Sequence, residues 1–381
     1  MKIILLGPAY PYRGGPATFN DRLAKQFSEE GHDIEVITFV LQYPGLLFPG
    51  KTQYNDGPAP EGVRIKRLVN SVNPFNWIST GRKIKKIKPD LLLVRYWLPF
   101  MAPCFGTIAR IVRSNRHTKV LCIFDNVIPH EKRPGDKILT RFFASSIDGA
   151  VVMSRMVGND LRLFRQNIPV KLSPHPLFDA YGEPVSREEA AASLGMDPQD
   201  SFLLFFGFIR AYKGLDLLIK AFSDKRLRKK GLKLIIAGEF YEDDTPYRDL
   251  VKQYELDGEI IFFDRFIRDE EVPVFFSLAD LVVQPYRSAT QSGVTQIAFH
   301  YDRPMLVTDV GGLSEIVRDG ECGYVVNPEP DTIANALLDY FDNNRKPVFE
   351  EGVRKAKDEF AWDKMTAAIL EALKDSLKEN G

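Results

Sequence analysis

The chain has 381 residues, 44% hydrophobic and 27% charged, with 27 glycines and 25 prolines. That length favours two domains, and the composition excludes disorder, collagen and coiled coil as the main architecture. The formal charge is zero, yet Lys+Arg outnumber Asp+Glu by 26 to 13 up to Pro174 and are outnumbered 25 to 38 beyond it. A swing from +13 to −13 separates two parts of the chain and predicts that the first meets something anionic: nucleic acid, an anionic membrane or a phosphorylated substrate.

No apolar run approaches the roughly 18 residues of a membrane span. The opening MKIILLGPAYPYRGGP lacks the apolar core and cleavage site of a signal peptide, so a cytoplasmic location is expected. Cys104, Cys122 and Cys322 are odd in number and far apart, which encodes neither a disulfide framework nor a zinc site.

Strand-length apolar runs fall at 2–6, 34–39, 63–68, 91–96, 119–125 and 150–153, with helical patterns at 18–30, 74–88 and 101–113 between them. Strands without polar alternation, separated by helices, describe a parallel sheet covered on both faces. Three prolines and a glycine within 173–185 interrupt the pattern and predict a linker between domain 1–174 and domain 186–359. Beyond it, strands are expected at 202–206, 232–237, 259–263, 280–283, 305–308 and 324–326, and helices at 215–228, 246–255, 272–278 and 293–300. The fold class is therefore α/β, with two doubly wound domains facing each other. Ligands in such sheets sit beyond the carboxyl ends of the strands.

The second domain opens with FFGFIRAYKGLDLLIKAF. A glycine loop with Arg210 and Lys213 leading into a helix suits a diphosphate, because the backbone can approach closely and the helix start offers free N–H groups. A solvated basic loop is the competing reading. Further on, VVQPYRSATQSGVTQIAF places Ser288, Thr290, Gln291 and Ser292 between a strand end and the helix start at Gly293, and TDVGGLSE adds a second such loop with Gly311, Gly312 and Glu315. Together these loops form an anion and hydroxyl reader at one sheet edge.

Lys213-Gly214, the GGLSE glycines and glutamate, DGECGYVV, the RGGPATFNDRLAKQF start and GHDIEV together resemble the retaining glycosyltransferases of family 4, with the GT-B fold, over essentially the whole chain. The resemblance implies two Rossmann-like domains facing across a cleft, a nucleotide-sugar donor held by the second, an acceptor held by the first, and no required metal or other cofactor. It also implies that Gly14 and Gly15 lie near the donor phosphate, and that the segment beginning at Phe360 and Trp362 packs back onto the first domain. The family usually carries two glutamates on the donor; at their spacing this chain has Ser288 and Gln296. Gln296 is then the ribose reader as a neutral amide, with Gln291 or Ser292 sharing the sugar role. The usual phosphate-binding arginine is replaced by Phe208, so Arg210 is the expected substitute. Near the end of KVLCIFD, where relatives have a histidine for the donor sugar, Asp125, Asn126 and His130 all remain candidates.

Glu242-Asp243-Asp244 reads as a helix N-cap rather than a metal site. The five histidines have no ligand spacing, and no hydrolase elbow or P-loop is present. The segment PFNWISTGRKIKKIK, 74–88, carries Arg82, Lys83, Lys85, Lys86 and Lys88 beside Phe75 and Trp77. It suits an anionic membrane interface, or equally a core-facing stripe with a solvated basic face. Nucleic acid is not expected, because no stacking platform or zinc-finger spacing accompanies the charge.

The expected activity is transfer of a sugar from a UDP- or GDP-sugar to a hydroxyl of a glycan or lipid-linked acceptor in cell-surface polysaccharide or glycoconjugate synthesis, by an enzyme that is cytoplasmic or peripheral on the inner membrane face. The alternatives are a non-catalytic nucleotide- or glycan-binding subunit and, less well supported, a nucleotide-sugar epimerase, which needs acid/base pairs that these residues do not assemble.

Overall fold

The computed structural model describes residues 1–45, 52–55, 57–129 and 133–378. The chain divides into two compact units, one of residues 1–176 with 361–381 and one of residues 177–360.

The first unit contains β1 (Lys2–Leu6), α1 (Gly15–Glu29), β2 (Asp33–Leu41), β3 (Ile65–Asn70), α2 (Pro74–Ile87), β4 (Leu91–Tyr96), α3 (Ala102–Arg113), β5 (Lys119–Phe124), α4 (Asp136–Ala144), β6 (Gly149–Val152), α5 (Arg155–Arg162) and β7 (Val170–Leu172). The strands form one seven-stranded sheet in the order β3-β2-β1-β4-β5-β6-β7, and every pairing is parallel. Helices α2, α3 and α4 pack side by side. Central strands such as β4 are buried along their whole length, which explains their unbroken apolar runs. Helix α1 starts three residues before the expected 18, because Gly14 at φ 103 turns the chain and Pro16 supplies a preset first turn.

The second unit runs α6 (Arg187–Leu194), β8 (Phe202–Phe206), α7 (Leu215–Phe222), α8 (Lys225–Arg228), β9 (Lys233–Ala237), α9 (Thr245–Gln253), β10 (Ile260–Phe263), α10 (Val272–Leu278), β11 (Leu281–Gln284), α11 (Gly293–His300), β12 (Met305–Thr308), α12 (Leu313–Ile316), β13 (Gly323–Val326), α13 (Pro330–Asp342) and α14 (Lys346–Ala356). Its parallel sheet has the order β10-β9-β8-β11-β12-β13. Strand order reverses between β1 and β4 in one unit and between β8 and β11 in the other. Doubly wound sheets bind ligands at such switch points.

Residues 177–185 belong to the second unit rather than forming a free linker. Leu177 donates its N–H to the Phe360 carbonyl at 2.9 Å, Val185 donates to Ser277 Oγ at 3.1 Å, and the Tyr301 hydroxyl donates to the Gly182 carbonyl at 2.9 Å. The last helix, α15 (Trp362–Lys378), lies in the first unit against α1, β5, β6 and β7. Trp362 is buried there with its ring 4.9 Å from that of Phe19.

Candidate functional site

In the second unit, the loops that leave β8 and β11 meet at the switch point. Gly214, at φ 67, packs so closely that a Cβ would collide with the Pro285 carbonyl, and Arg287 donates its N–H to the Tyr212 carbonyl at 2.7 Å. The Arg287 guanidinium also forks onto Asp216, with both contacts at 2.7 Å. The loop after β12 is fixed to the same place: Thr308 donates to the Tyr286 carbonyl at 2.5 Å, and a Cβ on Gly311 would strike the Ala289 carbonyl. Three strand ends thus share one rigid rim.

Lys213 lies within this rim and is 8% exposed. Its ammonium sits 5.4 Å from the centroid of the Tyr286 ring and beside Gly207, where a Cβ would come within 3.2 Å of it. No carboxylate among the described residues pairs with it. Burial lowers its pKa below the usual 10.5, because desolvation disfavours the charged form. Such a group is one whose charged form an anion could stabilise. Val294, in the first turn of α11, also lies against Gly207, its Cγ2 3.5 Å from the Cβ position, so the helix start and the ammonium converge.

That start is fixed by a residue that the motif reading passed over. Gln284, fully buried at the end of β11, donates from Nε2 to Ser292 Oγ at 2.8 Å and to the Tyr286 hydroxyl at 3.2 Å. Its Oε1 accepts from the Thr295 hydroxyl at 2.9 Å. Ser292 Oγ in turn caps α11 by accepting from the Val294 N–H at 3.3 Å. Burial pushes the Tyr286 phenol up to about 12, so it remains a neutral ring under Lys213.

The other expected donor residues occupy the same stretch in different settings. Ser288 is exposed and Gln291 half-buried. Gln296 is completely buried, and neither its Nε2 nor its Oε1 has a hydrogen-bond partner among the described residues, a state that costs about 1–3 kcal/mol per unpaired group. Arg210 places its guanidinium carbon 5.2 Å over the Tyr241 ring, and its charge adds to desolvation in lowering the Lys213 pKa. A nearby groove of about 790 Å³ is lined by Asp216, Glu242 and Asp243 with Lys220, Tyr247 and Arg287, and its carboxylates make it unsuited to a diphosphate. The acidic triplet precedes α9, with Asp244 at the N-cap position but without a side-chain cap bond; Asp244 pairs with Arg248 at 2.6 Å, while Asp243 accepts from Thr245 N–H and hydroxyl at 3.1 and 2.7 Å.

In the first unit, Gly14 caps α1 with nothing within 4 Å of a Cβ position, and its φ of 103 is what requires glycine there. Gly15 is the first residue of the helix. Asp125 directs both carboxylate oxygens at Arg95, at 3.0 Å from Nε and 2.6 Å from Nη2. Arg95, 2% exposed, stacks 3.6 Å from the Phe19 ring centroid, and its Nη1 has no hydrogen-bond partner among the described residues. This fork engages Asp125 inside the sheet edge, whereas Asn126 beside it is half-buried. His130 lies outside the described residues. His175, buried against Phe19 with ring centroids 5.0 Å apart, donates from Nδ1 to the Pro176 carbonyl at 2.7 Å. Burial, then the Arg95 charge, lowers its pKa to about 3. Among the described residues, no group of three His, Cys, Asp or Glu could hold a metal ion, and no helix is long and apolar enough to cross a membrane.

Comparison with known proteins places this geometry in context. The description "Glycosyl transferases group 1" matches residues 186–378, and "Glycosyltransferase Family 4" matches residues 13–175. The chain is 24% identical over 375 residues to an uncharacterized glycosyltransferase of Methanocaldococcus jannaschii, covering 97% of each chain. It is 27% identical over 399 residues to the D-inositol 3-phosphate glycosyltransferase of Nocardia farcinica, covering 96% of this chain and 86% of that one. In fold it is similar to the sucrose-phosphate synthase of Thermosynechococcus elongatus, with a TM-score of 0.74 at 17% identity and full coverage of both chains. It is also similar to HepE of Anabaena in complex with UDP, with a TM-score of 0.74 at 16% identity over 98% of this chain and 100% of that one.

Proposed function

Because this chain belongs to the glycosyl transferases group 1 family and is a glycosyltransferase of GT-B fold, we propose that it moves a sugar from a nucleoside-diphosphate sugar to an acceptor hydroxyl with retention at the anomeric carbon. The observation that carries the donor class is Lys213, a buried ammonium without a carboxylate beside the start of α11. The C1–O bond to the diphosphate breaks, the acceptor oxygen bonds to C1 on the same face, and the acceptor proton passes to a leaving-phosphate oxygen. Charge grows on the diphosphate as that bond breaks, so a fixed cation and helix N–H groups stabilise the transition state more than the ground state. The unpaired amide of Gln296 supports its reading as the partner of ribose hydroxyls, Ser292 and Gly293 supply the helix start, and Gln291 and Ser288 lie on the donor loop. This reading needs no metal. HepE, named in complex with UDP, is consistent with a nucleotide donor.

The acceptor is a glycan or a lipid-linked glycan, in polysaccharide or glycoconjugate synthesis, met at an anionic membrane surface. Support comes from α2, where Phe75 is 83% exposed and forms a shallow surface hollow with Ile78, Ser79, Arg82, Lys83 and Lys86. No ion pair among the described residues neutralises these cations. Trp77 does not join this surface. Its Nε1 donates to the Asn70 carbonyl at 2.7 Å and its ring packs on the core.

The direct test is incubation of the purified protein with UDP-, GDP- and TDP-sugars, with and without chelator. Slow donor hydrolysis that survives the chelator and is lost in Lys213→Ala is expected. Binding of every nucleotide sugar without any turnover would refute transferase chemistry at this site, and unchanged donor affinity in Lys213→Ala would refute the assignment of the loop.

A further inference from the structure

Two tyrosines and an arginine meet in the first unit beside β3, the edge strand of its sheet. Tyr12 and Tyr54 face each other in an isolated antiparallel bridge, flanked by the Arg13 N–H on the Gln53 carbonyl at 3.0 Å and the Asn55 N–H on the Pro11 carbonyl at 2.8 Å. Their rings lie 5.3 Å apart. The Arg67 guanidinium carbon sits 6.0 Å from the Tyr12 ring centroid and 5.9 Å from that of Tyr54. The register of β2 on β3 shifts on either side of Phe39, and the Phe39 carbonyl accepts from Arg67 Nε at 3.1 Å, which orients the guanidinium. Neighbouring cations are neutralised, Arg64 by Asp33 and Lys66 by Glu35, whereas Arg67 has no ion pair among the described residues. The hydroxyl of Tyr12, a residue only 4% exposed, has no hydrogen-bond partner among them either, while Tyr54 and Arg67 beside it are exposed. Burial, then Tyr54, pushes the Tyr12 phenol up to about 12 against the opposing pull of Arg67, so it stays a neutral donor at physiological pH.

We propose that Tyr12, Tyr54 and Arg67 bind an anionic group, a phosphate or a carboxylate, carried by the acceptor. The role rests on the sugar-transfer reading, in which the first unit takes the acceptor, and it narrows that acceptor to a charged one. A guanidinium offers parallel N–H groups that match two oxygens of a phosphate or carboxylate, and the two rings keep its plane in place. The phenol groups add neutral O–H donors, and a buried hydroxyl that is unpaired in the free protein gains its partner when the anion arrives. A neutral sugar supplies no charge to balance Arg67 and is discriminated against on that account.

The test follows urea midpoints of the full-length protein as inorganic phosphate or glucose 6-phosphate is added, against chloride and glucose at equal ionic strength, since a ligand of the folded state raises the midpoint. Saturating UDP, and in parallel a Lys213→Ala background, keeps phosphate away from the donor rim. Tyr12→Phe keeps the buried ring and removes only the hydroxyl; Arg67→Met keeps the stem and removes the charge. Each should weaken phosphate and glucose 6-phosphate about tenfold and leave the response to glucose as in the wild type. Tyr12→Phe should not lower the ligand-free midpoint, because the hydroxyl it deletes is unpaired. A wild type stabilised by phosphate and glucose 6-phosphate no more than these variants are, or a ligand-free Tyr12→Phe midpoint that falls, would overturn the site. A lipid headgroup is the other source of such an anion: loss of flotation with phosphatidic acid vesicles in both variants would overturn the acceptor assignment, and retained flotation supports it. Failure of the sugar-transfer reading looks different, because the wild type would then hydrolyse no nucleotide sugar whatever phosphate does.

Discussion

Gln284 donates to Ser292 Oγ at 2.8 Å while the other corner of the same amide accepts from Thr295 at 2.9 Å. One side chain at the end of a strand thus aligns both the cap and the first turn of the helix proposed to face the diphosphate. Gln284→Leu should lower nucleoside-diphosphate affinity about tenfold and stability by about 1–3 kcal/mol, since three polar partners lose a buried hydrogen bond. Calorimetric titration and urea unfolding of the same preparations measure both.

The proposed role of Lys213 carries a pH limit. Its pKa is depressed below 10.5 by desolvation, and an anionic diphosphate needs the charged form. Affinity for UDP or its best-binding analogue should therefore fall as pH rises toward and through the lowered pKa, sooner than an exposed lysine would permit. Lys213→Arg should remove that alkaline limb, because a guanidinium does not titrate there. The check is a series of binding titrations from neutral to alkaline pH.

The buried fork of Arg95 and Asp125 predicts an asymmetry between single and double substitutions. Asp125→Leu or Arg95→Met breaks the buried pair from one side and should cost about 3–5 kcal/mol in urea unfolding. Arg95→Met with Asp125→Leu should recover most of that loss. A double variant as unstable as the sum of the singles would show that the pair is not coupled.

His175 sets an acid limit on stability. Its folded pKa of about 3 lies below the ordinary value near 6.5, so the unfolded chain binds a proton that the folded one refuses. Its contribution is fully present above pH 6.5 and is lost as pH falls toward 3, at about 1.4 kcal/mol per pH unit. Between pH 6.5 and 5 the wild type should lose about 2 kcal/mol more than His175→Gln, as read from denaturant midpoints at each pH.

For the membrane reading, the protein should float with acidic liposomes at low salt and be released as ionic strength rises, because surface attraction decays over a Debye length of about 8–10 Å. Replacing Lys83, Lys85, Lys86 and Lys88 by Gln should abolish the salt-sensitive share, and Phe75→Ala the salt-resistant one. Equal binding to neutral and acidic liposomes, or none to either, would reject it.

Much of this was legible in the sequence because it is local. The central strands read as strands since burial on both faces leaves no polar alternation, and Lys213-Gly214 stood out because glycine, cation and helix start are neighbours in the chain. The three-residue β7, half-buried or exposed throughout, carries no such run and escaped notice. Arg95 belongs to no motif; its meaning depends on Asp125, 30 residues away and just past the end of the neighbouring strand. Gln284 was hidden for the same reason, since its partners are brought to it only by the fold of the following loop. Trp77 shows the reverse error. An aromatic in a basic helix suggested an interface, but helical phase turns it to the core while Phe75, two residues earlier, faces outward.

The chain enters the second unit at Leu177 and leaves it at Phe360, and the two ends are joined by a hydrogen bond of 2.9 Å. The unit is thus a closed loop of chain with a single doorway, the arrangement in which one domain can be inserted into another with little disturbance. An exchange of everything between those two residues for the corresponding stretch of a relative would keep α15 attached to the unit it supports. Such a transplant requires only two splices, at residues already joined by one hydrogen bond, and would exchange the whole of the second unit's sheet without cutting a strand of the first.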